Sequence, residues 1–275
     1  AVWNEATGLW SQNESDVVDI VDVELWKLAD KLKSGTDDKI VVLSMADFTT
    51  RSWKTYRDYI RNLPTIYHQL DERITFADDK VSKKDYISKK LPYSVKDGDH
   101  SAWDEMVGTL YSEEEKQKIE WAIGAIVSGD SRKIQKFLVF YGAPGTGKGT
   151  VMKIIGDLFR GYCATFNAKA LTSNNNAFAL EDFRNNPLVG IQQDGDLSRV
   201  EDNTQLNSIV SHEEMTINEK YKASYTAKVN CFLFLGSNKP VKITDAKSGI
   251  IRRLIDISQN TIDSASEGED ADVLL

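Results

Sequence analysis

Phe137-Leu138-Val139-Phe140-Tyr141-Gly142-Ala143-Pro144-Gly145-Thr146-Gly147-Lys148-Gly149-Thr150 decides the fold. An apolar run leads into a glycine-rich loop that ends on a lysine. Val151, Ile154, Ile155, Leu158 and Phe159 then recur at helical spacing. This is the strand–loop–helix order of a phosphate-binding loop. Glycines let successive backbone N–H groups turn around an anion. Lys148 reaches the β- and γ-phosphates, and the helix begun near it adds a positive dipole end. Gly142, Gly145, Thr146, Gly147, Lys148, Gly149 and Thr150 are therefore the predicted ATP contacts. The usual Ser or Thr after the lysine holds Mg²⁺. Here Gly149 stands there, so either Thr150 supplies the hydroxyl or water does.

Apolar runs that end in polar side chains extend the site. Leu188–Ile191 leads through Gln192-Gln193 into Asp194-Gly195-Asp196. Ligands bind at the carboxyl ends of strands in open α/β sheets, so one acid can organise Mg²⁺ and the other activate water. Phe232–Leu235 ends in Gly236-Ser237-Asn238, where an amide can bond the attacking water or the γ-phosphate. Arg252-Arg253 precede Leu254-Ile255. In an extended segment they face opposite ways, one pairing within the subunit and the other reaching a neighbour's nucleotide. Such a finger is worth about 10³–10⁵ in rate. Glu213–Lys222 reads as a hairpin that carries Lys220 and Lys222 beside Tyr221, suited to the phosphates of a single strand.

The spacing predicts a helix around 16–33 and a short strand or helix start at 39–47. Residues 51–76 are partly helical and broken at Pro64, and 77–100 form an exposed connection. Ser112-Glu113-Glu114-Glu115 is a capping box for a helix that stops at Gly129. Strands alternating with helices predict a mostly parallel sheet covered on both faces.

The composition is that of an ordinary globular protein, with 275 residues, 41% hydrophobic and 28% charged. No stretch approaches ~18 apolar residues, so no membrane partner is expected. Cys163 and Cys231 are far apart and read as reduced thiols of a cytosolic protein. The net charge of −8 argues mildly against nucleic acid. Yet residues 256–275 carry six acids and no base, and without them the balance is 34 basic to 36 acidic. Basic loops on a near-neutral body still bind DNA.

Taken together, these segments resemble the helicase portion of the poxvirus- and phage-type primase-helicases of superfamily III. The carrying pieces are Leu91-Pro92-Tyr93, Trp103, Glu113–Gly129, the phosphate loop, Asp194/Asp196, Lys220–Lys222, Asn238-Lys239-Pro240 and Asp245…Gly249-Ile250-Ile251-Arg252-Arg253. The resemblance implies a P-loop, AAA+-like ATPase core over 136–258 and a helical collar over 99–135. A mainly helical region fills 1–98, and the Ser- and acid-rich tail over 259–275, too poor in apolar surface to order itself, is expected to be disordered. It implies a ring, usually hexameric, that hydrolyses ATP with Mg²⁺ while moving on single-stranded or forked DNA. It also implies an upstream primase domain, which suits the abrupt start at Ala1, and a host-cell cytoplasmic setting. Gln192-Gln193 stand where that family places acids. Two rivals stay open. One is a nucleoside monophosphate kinase, which shares the loop pattern. The other is a nucleotide-gated assembly module with little turnover.

Overall fold

A computed structural model describes residues 1–62, 69–173, 176–195, 202–218, 220, 224–238 and 249–260. The chain divides into two compact units, Ala1–Ser94 and Val95–Leu275.

The first unit opens with a small antiparallel pair, β1 (Val2–Asn4) and β2 (Leu9–Ser11). Three helices follow: α1 (Glu14–Lys31), α2 (Asp37–Ala46) and α3 (Arg51–Asn62). Asn13 caps α1 and Thr36 caps α2, each through a side-chain oxygen that accepts a first-turn N–H. The segment at 39–47 is thus helical. Residues 77–100 are largely exposed, as expected, with two buried anchors. Leu91 N–H bonds Thr75 O at 2.8 Å, and both Ile87 and Leu91 are buried. The buried Asp71 carboxylate accepts the Ser88 N–H. Backbone pairing and a satisfied carboxylate let a charged stretch bury its few apolar side chains.

The second unit begins with α4 (Ser101–Leu110), α5 (Glu113–Ser128) and α6 (Ser131–Ile134). Ser112 Oγ accepts the Glu115 N–H and Gly129 closes α5 in the left-handed region, but the Glu115 carboxylate pairs with Lys118 at 3.0 Å, so only half of the expected capping box forms. Then come β3 (Phe137–Tyr141), α7 (Lys148–Leu158), β4 (Cys163–Thr165), α8 (Ala168–Leu171) and β5 (Val189–Gln192). Next are α9 (Thr204–Val210), the hairpin strands β6 (Glu214–Ile217) and β7 (Tyr225–Lys228), β8 (Phe232–Ser237) and β9 (Leu254–Ser258).

The core is a five-stranded sheet in the order β4-β5-β8-β3-β9, with every pairing parallel. This is an α/β P-loop NTPase-like core, as expected. Phe137–Phe140 and all six residues of β8 are buried, which is what central strands covered on both faces demand. The order sets β8 between β3 and β5. The register pairs Tyr141 with Ser237 and Gln192 with Leu235. The carboxyl ends of these three strands therefore open at one edge.

Candidate nucleotide site

The phosphate loop runs from Gly142 to Gly147, with α7 starting at Lys148. Gly145 and Gly147 hold φ of +80° and +88°, where a side chain is strained. A Cβ on Gly147 would also sit 2.9 Å from Leu110 Cδ1. Two constraints, one local and one tertiary, thus require glycine there. Thr146 Oγ1 donates to Ala143 O at 2.7 Å and tightens the turn. Lys148 is buried, and its Nζ donates to Gly142 O at 2.6 Å and Ala143 O at 2.7 Å. Burial lowers its pKa, and the Asp194 carboxylate opposes that shift. A cation in this position, held by carbonyls at the mouth of a helix, can exchange those contacts for phosphate oxygens.

Asp194 and Asn238 meet across the neighbouring strand ends. Asn238 Nδ2 lies 3.5 Å from Asp194 Oδ1, and both residues are exposed. The loop that carries Asp194 is fastened to β8, because Gly195 N–H donates to Gly236 O at 2.8 Å. A Cβ on Gly236 would collide with the Gln193 carbonyl. The two glutamines differ in use. Gln192 Oε1 accepts the Ala168 N–H at 2.6 Å and its Nε2 donates to Asp194 O at 3.2 Å, so it braces the loop. Gln193 is exposed, with Oε1 3.9 Å from where a Cβ on Gly149 would stand. Gly149 therefore faces the acidic strand end. Thr150, also exposed, lies about 100° further round the helix. The donor set that can hold Mg²⁺ here is the Asp194 carboxylate, with water or the Thr150 hydroxyl. Among the described residues no cluster of three or more His, Cys, Asp or Glu forms a metal site by itself.

Sequence reasoning missed Gln259. One residue past β9, its Nε2 donates to Thr146 O and lies 3.5 Å from the Tyr111 hydroxyl. Burial pushes that hydroxyl up to about 12, so it stays protonated. Leu110, Tyr141, Ala143, Thr146, Ser258 and Gln259 border a cavity of about 400 Å³ beside the loop. No local pattern marks Gln259, since strand pairing alone brings it to the loop.

Arg252 and Arg253 lie elsewhere. The expected extended segment is a turn, with Arg253 N–H and Leu254 N–H both bonding Ile250 O at 2.9 Å. Arg253 is buried, and donates to Ser211 Oγ at 2.7 Å and Gly249 O at 3.0 Å. Arg252 is exposed. Phe137 N–H bonds Arg253 O at 2.9 Å, so both arginines sit at the amino end of the strands. Four residues of β3 separate that end from the loop, about 13 Å. The backbone of both thus lies at the opposite end of β3 from the phosphate loop of their own chain.

A hairpin lies here, but its second strand falls beyond the expected 213–222, with β6 and β7 paired from Glu214↔Lys228 to Ile217↔Tyr225. Lys220 lies exposed between the strands. Lys222, Asp196, Lys239, Pro240, Asp245 and the tail from 261 lie outside the described residues.

The profile of a family of unknown function, DUF5906, matches residues 140–253. No curated protein matches the chain. Among solved structures, the apo C-terminal region of NrS-1 (305–718) is 19% identical. That match covers 64% of this chain and 42% of that one, with a TM-score of 0.47. An A-form apo structure of the same region is 17% identical and reaches a TM-score of 0.50. It covers 80% of this chain and 55% of that chain, and it carries the likeness of fold. This chain thus spans about half the length of the NrS-1 region it matches. Among the described residues, no helix is long and apolar enough to cross a membrane.

Proposed function

We propose that the chain is the motor of a replicative helicase of the phage or viral type, hydrolysing ATP to move on single-stranded DNA. The observation that carries this reading is the convergence of Lys148, Asp194 and Asn238 at one edge of a parallel sheet. Lys148 holds the β- and γ-phosphates on the loop amides. The cavity beside Thr146 and Gln259 seats the nucleoside. Asp194 is the carboxylate for Mg²⁺ or for the attacking water, and Asn238 orients that water. Bound Mg²⁺ supplies charge neutralisation at the phosphates. Thr150 or a water would complete its donors.

The arginines favour an assembly. Arg252 cannot serve its own loop from the far end of the sheet, but it can serve the next protomer in a ring. Arg253 braces the turn that presents it. Lys220, together with Lys222, grips the strand, and an upstream primase domain and a cytoplasmic setting accompany this reading. The fold shared with the NrS-1 region supports it. The test is ATP turnover with and without single-stranded DNA. Wild type should be stimulated and Lys148→Ala inactive. Phosphorylation of AMP in place of DNA-stimulated hydrolysis would point to the kinase instead.

A second reading has one specific observation behind it. Gln193 and Gly149 face each other where a carboxylate and a hydroxyl are usual. A nucleotide-gated assembly module would bind ATP tightly there and turn it over near background.

A further inference from the structure

The first unit holds a site that the nucleotide reading does not use. Arg57 on α3 is only 4% exposed. Its Nη2 donates to Asp22 of α1, and its guanidinium lies 4.8 Å from the centroid of the Trp53 ring. Nε and Nη1 are buried with no hydrogen-bond partner. Unmatched buried donors on a charged group are costly and mark a place built for an acceptor. The same side chain lines a cavity of about 470 Å³, with Ser15 and Asp19 from α1 and Trp53, Lys54 and Asp58 from α3.

The lining selects the ligand. Arg57 and Lys54 donate to oxygens, while Asp19 accepts N–H groups. With Arg57 already paired to Asp22, a free phosphate dianion facing Asp19 and Asp58 is disfavoured more than the single charge of a phosphodiester. A phosphodiester brings one charge and a base with N–H donors. α3 also interleaves Arg51, Lys54 and Arg57 with Trp53, Tyr56 and Tyr59. Tyr59 is 60% exposed and stacks on Tyr56 with centroids 6.4 Å apart. Cations tracking a backbone beside aromatic faces are the equipment of single-strand binding. We propose that this cavity and the adjoining face of α3 bind a nucleotide of single-stranded nucleic acid. The phosphodiester sits on Arg57 and Lys54, and bases lie against Trp53 and Tyr59.

The inference adds a contact for the DNA partner proposed above, and it does not need ATP turnover. The test uses the full chain without nucleotide. A labelled oligothymidylate is titrated at several salt concentrations against wild type, Lys54→Ala and Tyr59→Ala, whose altered side chains are exposed. Photocrosslinking of an iododeoxyuridine oligonucleotide maps the contact. Crosslinks at Trp53 or Tyr59 are expected. Lys54→Ala should weaken binding several-fold and flatten the log–log salt slope by about 0.7, the loss of one single-strand phosphate contact. Arg57→Lys, checked for helical circular dichroism, should weaken it further. Unchanged binding by both exposed variants, with crosslinks only outside 51–59, would overturn the proposal. So would displacement of the oligonucleotide by inorganic phosphate at equal phosphate concentration. DNA binding through Lys54 in a chain that never hydrolyses ATP would defeat the motor and leave this site standing.

Discussion

Asn238 Nδ2 and Asp194 Oδ1 lie 3.5 Å apart across the ends of β8 and β5, although 44 residues separate them in the chain. Asp194 is also the carboxylate that acts on buried Lys148. This pair joins the strand next to the phosphate loop to the strand beyond it. In the proposed motor it marks where the attacking water is held.

Asn238→Ala should therefore lower kcat more than it changes KM. Loss of one positioned donor costs about 10²–10³ in rate. Asp194→Asn should lower turnover at least as far while leaving ATP binding measurable. Steady-state hydrolysis beside equilibrium binding of a fluorescent ATP analogue separates the two effects.

Gly236→Ala tests the fastening between the same strands. Its methyl would press on the Gln193 carbonyl and disturb the 2.8 Å bond from Gly195 N–H. Overpacking against backbone costs about 1–3 kcal/mol. Thermal unfolding should show that loss, and ATP turnover should fall with it, although residue 236 carries no reactive group.

Gly149→Ser restores the missing hydroxyl. A Cβ there meets only Gln193 Oε1 at 3.9 Å, so stability should hold within about 0.5 kcal/mol. Tighter Mg²⁺-dependent ATP binding is expected from titration calorimetry. If the assembly-module reading holds, Gly149→Ser combined with Gln193→Glu should raise a near-background turnover.

The phosphate loop was legible because its chemistry is contiguous. Asp194 and Asn238 were legible as polar ends of apolar strands. Gly236, Gln259 and Leu110 were not, because their roles arise only when strand order brings distant residues together. Gln192 looked like a missing catalytic acid, but its side chain bonds Ala168 N–H and Asp194 O, partners that no local spacing reveals. That one of Arg252 and Arg253 pairs within the chain was legible, though not which one. It is Arg253, buried on Ser211 by a turn and not by strand alternation.

His212 gives the fold a pH dependence. It is buried, and desolvation lowers its pKa to about 4 against the partial support of Asn230. The native state keeps the ring neutral while the unfolded chain protonates near 6.5. Stability is thus complete above pH 6.5 and declines as pH falls from 6.5 towards 4. The loss is at most about 3 kcal/mol at low pH. His212→Asn, which tolerates the left-handed backbone at φ +54°, should flatten denaturant midpoints across that range.

Arg252→Ala should leave the melting temperature near wild type, since the side chain is exposed. Arg253→Ala should cost about 1–3 kcal/mol by stripping Ser211 Oγ and Gly249 O of their donors. Differential scanning fluorimetry distinguishes them before any activity is measured.

The most direct measurement mixes Lys148→Ala with Arg252→Ala on single-stranded DNA and follows ATP hydrolysis. Each variant alone should be inactive. At equal proportions about one interface in four joins an intact loop to an intact arginine, so activity should return. No recovery at any ratio, with both variants folded and bound to DNA, would contradict an ATP site shared between protomers.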